Sequence, residues 1–292
     1  MDLVVRVLCA GHVNWDVTLR VDALPDPDGE ATVVARQVGG GGSAANVAAG
    51  LCDLDVPAGL VGSVGDDDHA GRIRDELEGR GVDLAHLRTA PGETAVKYLI
   101  VDAAGEVMVF GSDGANETIG PADLDPSVVE GVAHVHLTGQ RPATAARLAA
   151  LADEVGATVS IDPGRQLGRR DFATAIDRAD VVLVNEREAD AARAAGADPA
   201  RQLVVEKHGP AGATASGPAG RTTHPGVAVD AVDTAGAGDA FAAGFLAVSL
   251  DDGPTERALA WGNACGALAA RDAGARTTLS REAVSELLAG RK

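Results

Sequence analysis

The chain has 292 residues, enough for one large α/β domain or two ordinary ones, and its 46% hydrophobic content supplies a sizeable core. Only 2% of the residues are aromatic, so that core must be built from Ala, Val and Leu. A net charge of −18 repels phosphate backbones and argues against nucleic-acid binding, and no apolar run approaches the ~18 residues of a membrane span.

The N-terminus lacks a basic region and a cleavage site, which points to a cytoplasmic protein. Cys9, Cys52 and Cys265 fit neither a zinc spacing nor a disulfide framework and read as reduced core thiols. The excess of acid, with lysine only at 97, 207 and 292, suits a salt-loaded cytoplasm where self-repulsion is screened.

Val4 to Ala10 reads as a buried first strand and Val13 to Val21 as a half-exposed second. With Ala31 to Val38, Thr94 to Asp102 and Glu106 to Phe110, joined by the turn Ala103-Ala104-Gly105, the latter suggests a small antiparallel sheet that covers something. Gly39 to Gly42 reads as a loop opening an alanine-rich helix, Val47 to Leu51. Strands follow at Val56 to Val64, Val132 to Leu137, Thr158 to Ile161, Ala179 to Val184 and Leu203 to Glu206. Helices alternate with them at His69 to Gly79, Ala143 to Val155 and Glu186 to Ala195. Gly212 to Val229 reads as a hairpin region, and Val227 to Val232 as a further strand. Helices from near Gly236, over Thr255 to Arg271 and over Ser280 to Leu288 close the chain. Such alternation predicts a mainly parallel sheet covered on both faces. A single domain over 1–292 is expected, with a lid from about 13–38 and 94–111.

The chemistry is concentrated in Asp233-Thr234-Ala235-Gly236-Ala237-Gly238-Asp239. Small residues at a helix start leave backbone N–H groups open to a phosphate, and Asp239 in the first turn is placed to take a proton from a hydroxyl. A small-residue turn before a buried helix is the plainer account. The glycine loop lacks the Gly-Lys-Ser/Thr of a Walker motif and the acidic residue of a dinucleotide fingerprint. Asn46, Asn14 and Asp16 supply carboxamides and a carboxylate suited to a polyol, whose hydroxyls both donate and accept.

On Gly41-Gly42-Ser43-Ala44-Ala45-Asn46-Val47-Ala48 and Asp233 to Phe241, the chain resembles the ribokinase-like, or PfkB, family of sugar and nucleoside kinases, in an acidic, haloarchaeal-type form. Asn185-Glu186-Arg187-Glu188 and Gly114-Ala115-Asn116 add to the resemblance, which spans nearly the whole chain. It implies a three-layer α/β/α sandwich with a mainly parallel central sheet and a small β-sheet lid. It also implies ATP-dependent transfer to a hydroxymethyl group of a sugar, with a sugar phosphate or a nucleoside as alternative acceptors.

Under that resemblance Asp239 is the base and the N–H groups around Gly236, Ala237 and Gly238 the anion hole. Asn14, Asp16, Gly41, Gly42, Ser43, Asn46 and Gln140 face the sugar. Asn185, Glu188, Lys207, Gly209, Gly212 and Asn263 serve the nucleotide, with Glu188 holding Mg²⁺ through water. Asp233, Ala235, Gly274 and Thr278 resemble a potassium site. Asn185 with Glu188 also reads as a capping box, and Asn263 as a packing residue. Lys97 and Arg165 depart from a simple ribose site and would hold an anionic group on the substrate; a solvated lysine and a salt-bridged arginine are the alternative. An exposed lid edge predicts a homodimer through the lid. A nicotinamide-dependent oxidoreductase built on the Gly39 to Gly42 loop, and a catalytically dead sensor, are the rival functions.

Overall fold

A computed structural model describes residues 5–103, 107–272 and 274–290. In chain order, β1 (Val7–Ala10), β2 (Asn14–Val21) and β3 (Val33–Gly41) lead into α1 (Ser43–Asp53). β4 (Ala58–Val64), α2 (Asp68–Gly79) and β5 (Leu87–Thr89) follow, then β6 (Ala95–Val101) and β7 (Val107–Gly111). The middle of the chain holds β8 (His134–Thr138), α3 (Pro142–Val155), β9 (Thr158–Asp162), α4 (Ala173–Arg178), β10 (Val181–Asn185), α5 (Ala189–Ala194) and β11 (Leu203–Lys207). It ends with β12 (Ala213–Gly217), β13 (Gly220–His224), α6 (Ala237–Ser249), α7 (Thr255–Arg271) and α8 (Arg281–Ala289).

The main sheet has nine strands in the order β13-β12-β11-β10-β9-β8-β1-β4-β5. Its only antiparallel pairings are those of β12 with β11 and with β13, at one edge. β1 shows why both faces are covered. Val7 and Cys9 pack among residues of α1, α6 and α7, while Leu8 and Ala10 pack among those of α3 and α4. Apolar residues at every position of a strand demand a helical layer on each side, which makes the sandwich three-layered. Cys9 and Cys265 are buried free thiols, and Cys52 is half-buried and free.

A separate four-stranded sheet, in the order β3-β2-β6-β7, forms the lid. It is mixed rather than antiparallel, because β2 pairs parallel with β6, Asn14 opposite Ala95. Those two strands enter from distant parts of the chain, so no hairpin fixes their direction. β3 continues through Gly39, Gly40 and Gly41, which pair with Asp16, Trp15 and Asn14, so the predicted glycine loop is largely strand. Val4, Ala104, Gly105 and Glu106 of the predicted elements lie outside the described residues.

Other expectations are corrected. α1 begins at Ser43, ahead of the predicted Val47. α5 begins only at Ala189, because Asn185 and Glu188 close a turn before it. Val227 to Val232 forms no strand. Val232 and Asp233 donate instead to the Ala270 carbonyl at the end of α7, at 2.7 and 3.2 Å. β5 and α4, three and six residues long, are too short for periodicity to reveal.

One polar cluster lies inside the sheet. His134 bonds Thr158 and Ser160 through its two ring nitrogens, each at 2.7 Å, and Ser160 also bonds His136 Nδ1 at 2.7 Å. Burial pushes both imidazoles down to about 3, so they are neutral in the native state. Unfolded, they titrate near 6.5, so below that pH the unfolded chain binds the extra protons and stability falls with pH, by about 1.4 kcal/mol per histidine per unit. Asp16, pushed up to about 6, and Asp53, Glu188 and Asp239, all raised by burial, oppose this, because the native state holds their protons at a pH where the unfolded chain has lost them. The histidine contribution is therefore read by difference: in urea unfolding, the change in stability from pH 7 to pH 5 should be less unfavourable in a His136→Asn variant than in the wild type. Equal changes in the two count against a neutral buried His136.

Candidate active site

Gly236 caps α6 with φ 73°, and a Cβ there would come 1.9 Å from the Ala275 carbonyl oxygen. Only glycine allows both the left-handed turn and that approach. Asp233 ties the turn to the 274–276 loop, accepting from Ala235 N–H at 2.9 Å and Gly274 N–H at 3.1 Å. Ala237 N–H donates weakly to the Thr234 carbonyl at 3.3 Å, and the helix dipole adds positive potential at this end of α6. Asp239 stands in that turn and accepts from Asn46 Nδ2 at 2.8 Å. Burial raises its pKa, with Asp162 adding to the rise, while Asn46, Lys207 and Ser43 oppose it. A carboxylate so raised is a stronger base for a hydroxyl proton.

α6 opens onto a cleft of about 630 Å³ between the main sheet and the lid. Asn14, Asp16, Gly42, Ser43, Asn46 and Asp239 line it together, along with Lys97 and Arg165. Asn14 Oδ1 accepts from Asn116 Nδ2 at 2.7 Å, and Asn116 Oδ1 accepts from Val13 N–H, which fixes Asn14 in the floor. Asp16 is pushed up to about 6 by burial; Arg276 and Lys97 oppose the rise and Asp239 adds to it. Gly41 lies directly behind, where a Cβ would come 2.1 Å from Asp16 Oδ2.

Lys207 forms an ion pair with Asp162, and a Cβ on Gly238 would lie 3.5 Å from its Nζ, so the ammonium sits beside the α6 N-terminus. Burial would lower its pKa, but Asp162 more than offsets this and holds it raised. Glu188 is raised by burial and then by Asp162. Asn185 N–H donates to Glu188 Oε2 at 3.1 Å and Glu188 N–H donates to Asn185 Oδ1 at 3.2 Å. The capping geometry is thus present on the turn, and both residues also line the cleft.

Lys97 Nζ lies 3.1 Å from Asp113 Oδ1, and its side chain is 23% exposed. Arg165 is exposed at the cleft, and neither it nor the neighbouring Arg169 forms an ion pair among the described residues.

Several expected residues lie elsewhere. Gln140 points away, donating to the Ala10 carbonyl at 3.0 Å beside a separate small cavity. Asn263 is buried on α7 away from the cleft, its Nδ2 3.1 Å from His224 Nδ1. Gly209 and Gly212 form the turn between β11 and β12 and do not line the cleft. Asp233, Ala235 and Gly274 come together, while Thr278 is exposed. The cleft adds Asp162, Arg169 and His12 to the predicted set, and Arg276 lies behind it. Asp162 at the end of β9 carried a positional signal, since parallel strands present their carboxyl ends to ligands. Arg276 and Arg169, in loops, carried none.

Residues 5–282 match the family described as pfkB family carbohydrate kinase. The chain is 55% identical to an ATP-dependent ribose-1-phosphate kinase of Halopiger xanaduensis, covering 98% of this chain and 99% of that one. It is 33% identical to a fructokinase of Klebsiella pneumoniae, over 91% and 97% of the two chains. The fold is similar to that of the Methanocaldococcus jannaschii nucleoside kinase, with a TM-score of 0.88 at 23% identity, over 98% and 99% of the chains.

Proposed function

The chain belongs to the pfkB family of carbohydrate kinases and is a ribokinase-like, ATP-dependent sugar kinase; from that premise we propose that its acceptor is a phosphorylated pentose, ribose 1-phosphate first. The observation that carries this is the trio Lys97, Arg165 and Arg169 at the cleft of a chain with net charge −18. Arg165 and Arg169 form no ion pair among the described residues, and Lys97 meets the exposed Asp113, so these cations are suited to an anion brought by the ligand. The 55% identity to a ribose-1-phosphate kinase supports the same acceptor.

Asn14 and Asp16 hold ring hydroxyls, and Asp239 takes the proton from the hydroxymethyl group as it attacks the γ-phosphoryl. The α6 amides and Lys207 meet the negative charge on the transferring group, which is the main demand of phosphoryl transfer. Closure of the lid excludes water and limits wasteful hydrolysis.

Among the described residues no three His, Cys, Asp or Glu side chains form a metal cage. Mg²⁺ bound to the nucleotide phosphates fits nonetheless, because Glu188 and Asp162 crowd two carboxylates at the cleft that a hydrated cation would relieve. When bound, Mg²⁺ neutralises charge on the phosphates. Potassium at Asp233, Ala235 and Gly274 would stiffen the turn before the anion hole.

No helix of the described residues is long and apolar enough to cross a membrane. The lid carries exposed Val34, Tyr98, Met108 and Phe110, the last at 55%, and the face shared by Tyr98, Met108 and Phe110 lies away from the cleft. A second copy joined lid to lid would cover it. Sedimentation is expected to show a dimer that Phe110→Asp weakens; a monomer at micromolar concentration rejects it.

The deciding experiment for the acceptor is an ADP-release screen over pentoses, hexoses, their phosphates and nucleosides, in potassium and in sodium chloride. A neutral sugar or nucleoside as the preferred acceptor overturns the proposal.

A further inference from the structure

Arg276, on the loop after α7, lies behind the glycine end of β3 with its side chain only 3% exposed. Its guanidinium is engaged in three directions. Nε donates to Asn46 Oδ1 at 3.1 Å, Nη2 donates to the Gly41 carbonyl at 3.1 Å, and Nη1 lies 3.1 Å from Glu76 Oε1. Glu76 in turn accepts from the Gly40 N–H at 3.3 Å. Burying a guanidinium is costly, and an apolar side chain of similar volume would fill the space at lower cost. What an apolar residue could not do is choose between the two ends of Asn46.

A carboxamide is nearly symmetric in shape, so packing alone leaves its oxygen and nitrogen interchangeable. A guanidinium has donors and no acceptor, so it admits Asn46 only with the oxygen facing it. That choice turns the NH₂ group toward Asp239, where it donates at 2.8 Å. We propose that Arg276 is a positioning residue for phosphoryl transfer: it fixes the orientation of Asn46 and, through Asn46, holds the Asp239 carboxylate toward the acceptor hydroxyl. By holding the Gly41 carbonyl it also sets the strand end that backs Asp16. The inference rests on Asp239 being the base.

The charges around this relay come from several elements. Glu76 of α2, Arg80 just after it, Asp53 of α1 and Asp16 of β2 face Arg276. Asp162 of β9 and Lys207 of β11 face Asp239, with the Ser43 hydroxyl of α1. The Asn46 bond lowers the Asp239 pKa. Releasing Asn46 therefore raises that pKa, and the base is protonated, and idle, at a higher pH than before.

The test compares Arg276→Met, Arg276→Lys and Glu76→Gln in kcat and KM from pH 5 to 9. Arg276→Met is expected to lower kcat about tenfold or more, the scale of a misaligned catalytic group, with the KM for ATP changed less than about twofold. The acid limb of its kcat profile should move up by roughly half a pH unit. Arg276→Lys keeps one donor for Asn46 and should recover part of the loss with the limb near its wild-type place. If Arg276→Met fails to fold, Glu76→Gln decides, since it loosens the guanidinium from outside the cleft and should shift the limb the same way. An unmoved limb in the folded variants, or equal losses for Met and Lys, overturns the positioning role. Asp239→Asn separates this from the base assignment: if it abolishes turnover while the Arg276 variants leave the limb alone, only the positioning role falls.

Discussion

Asp239→Asn is expected to reduce kcat by 10²- to 10⁴-fold, the range for loss of a general base, while nucleotide binding stays nearly intact. The substitution keeps the shape of the side chain, and its carbonyl oxygen still accepts from Asn46, so the first turn of α6 should be undisturbed. What is lost is the capacity to accept a proton, in a group whose basicity burial had raised. Single-turnover measurements with the preferred acceptor, alongside nucleotide titration, check this. Retention of more than about a tenth of wild-type kcat assigns the proton to another group.

Lys97→Ala is expected to raise KM for a sugar phosphate by roughly one to two orders of magnitude, the scale of one charge-assisted contact at ~1.5–3 kcal/mol. The competing partner of Lys97 is weak. Asp113 is 73% exposed, and such a surface pair contributes little. Lys97 can therefore exchange Asp113 for a ligand phosphate at small cost as the lid closes. Arg165→Met should act in the same direction from the opposite wall. For the neutral parent sugar both changes should do little; equal losses on the two compounds would mean that these cations are general surface charge.

The strand–helix alternation was legible because apolar strands and helical spacing leave strong local signals, and α7 matches its predicted span, Thr255–Arg271. The direction of β6 against β2 was not legible, since pairing between distant segments leaves no trace in either. Val227 to Val232 shows the opposite failure: its alternation is genuine, with Val227 packed inward, but the ladder partner is a helix end. Around the cleft, the small-residue turn before α6, Asn46, Asp16 and Asn14, which the structure brings together, were singled out by motif and residue type. The places of Asn263 and Gln140 outside the cleft were not legible, because a carboxamide serves packing and ligands equally well and only its neighbours decide. Arg276 was hidden for a similar reason: a lone loop arginine in an acidic chain looks like a solvated counter-charge until its burial is seen.

The pairing of Asn14 with Gly41 places the cleft end of the lid at the first residue of β2 and the last of β3. A lid that tilts about this end would be a lever pivoted on the pocket itself. A tilt that carries the far ends of its strands, near Val21 and Val33, through a long arc moves Asn14 and Gly41 hardly at all. Opening and closing would then trade access against seclusion without moving the residues proposed to hold the acceptor. Arg20 adds a tether, its Nη2 donating to the Val232 carbonyl at 2.6 Å, so the arm is coupled to the segment that leads into Asp233 and the phosphate turn. Changes far out on the arm should therefore register in the speed of opening, and hence in turnover, well before they register in how tightly the acceptor is held.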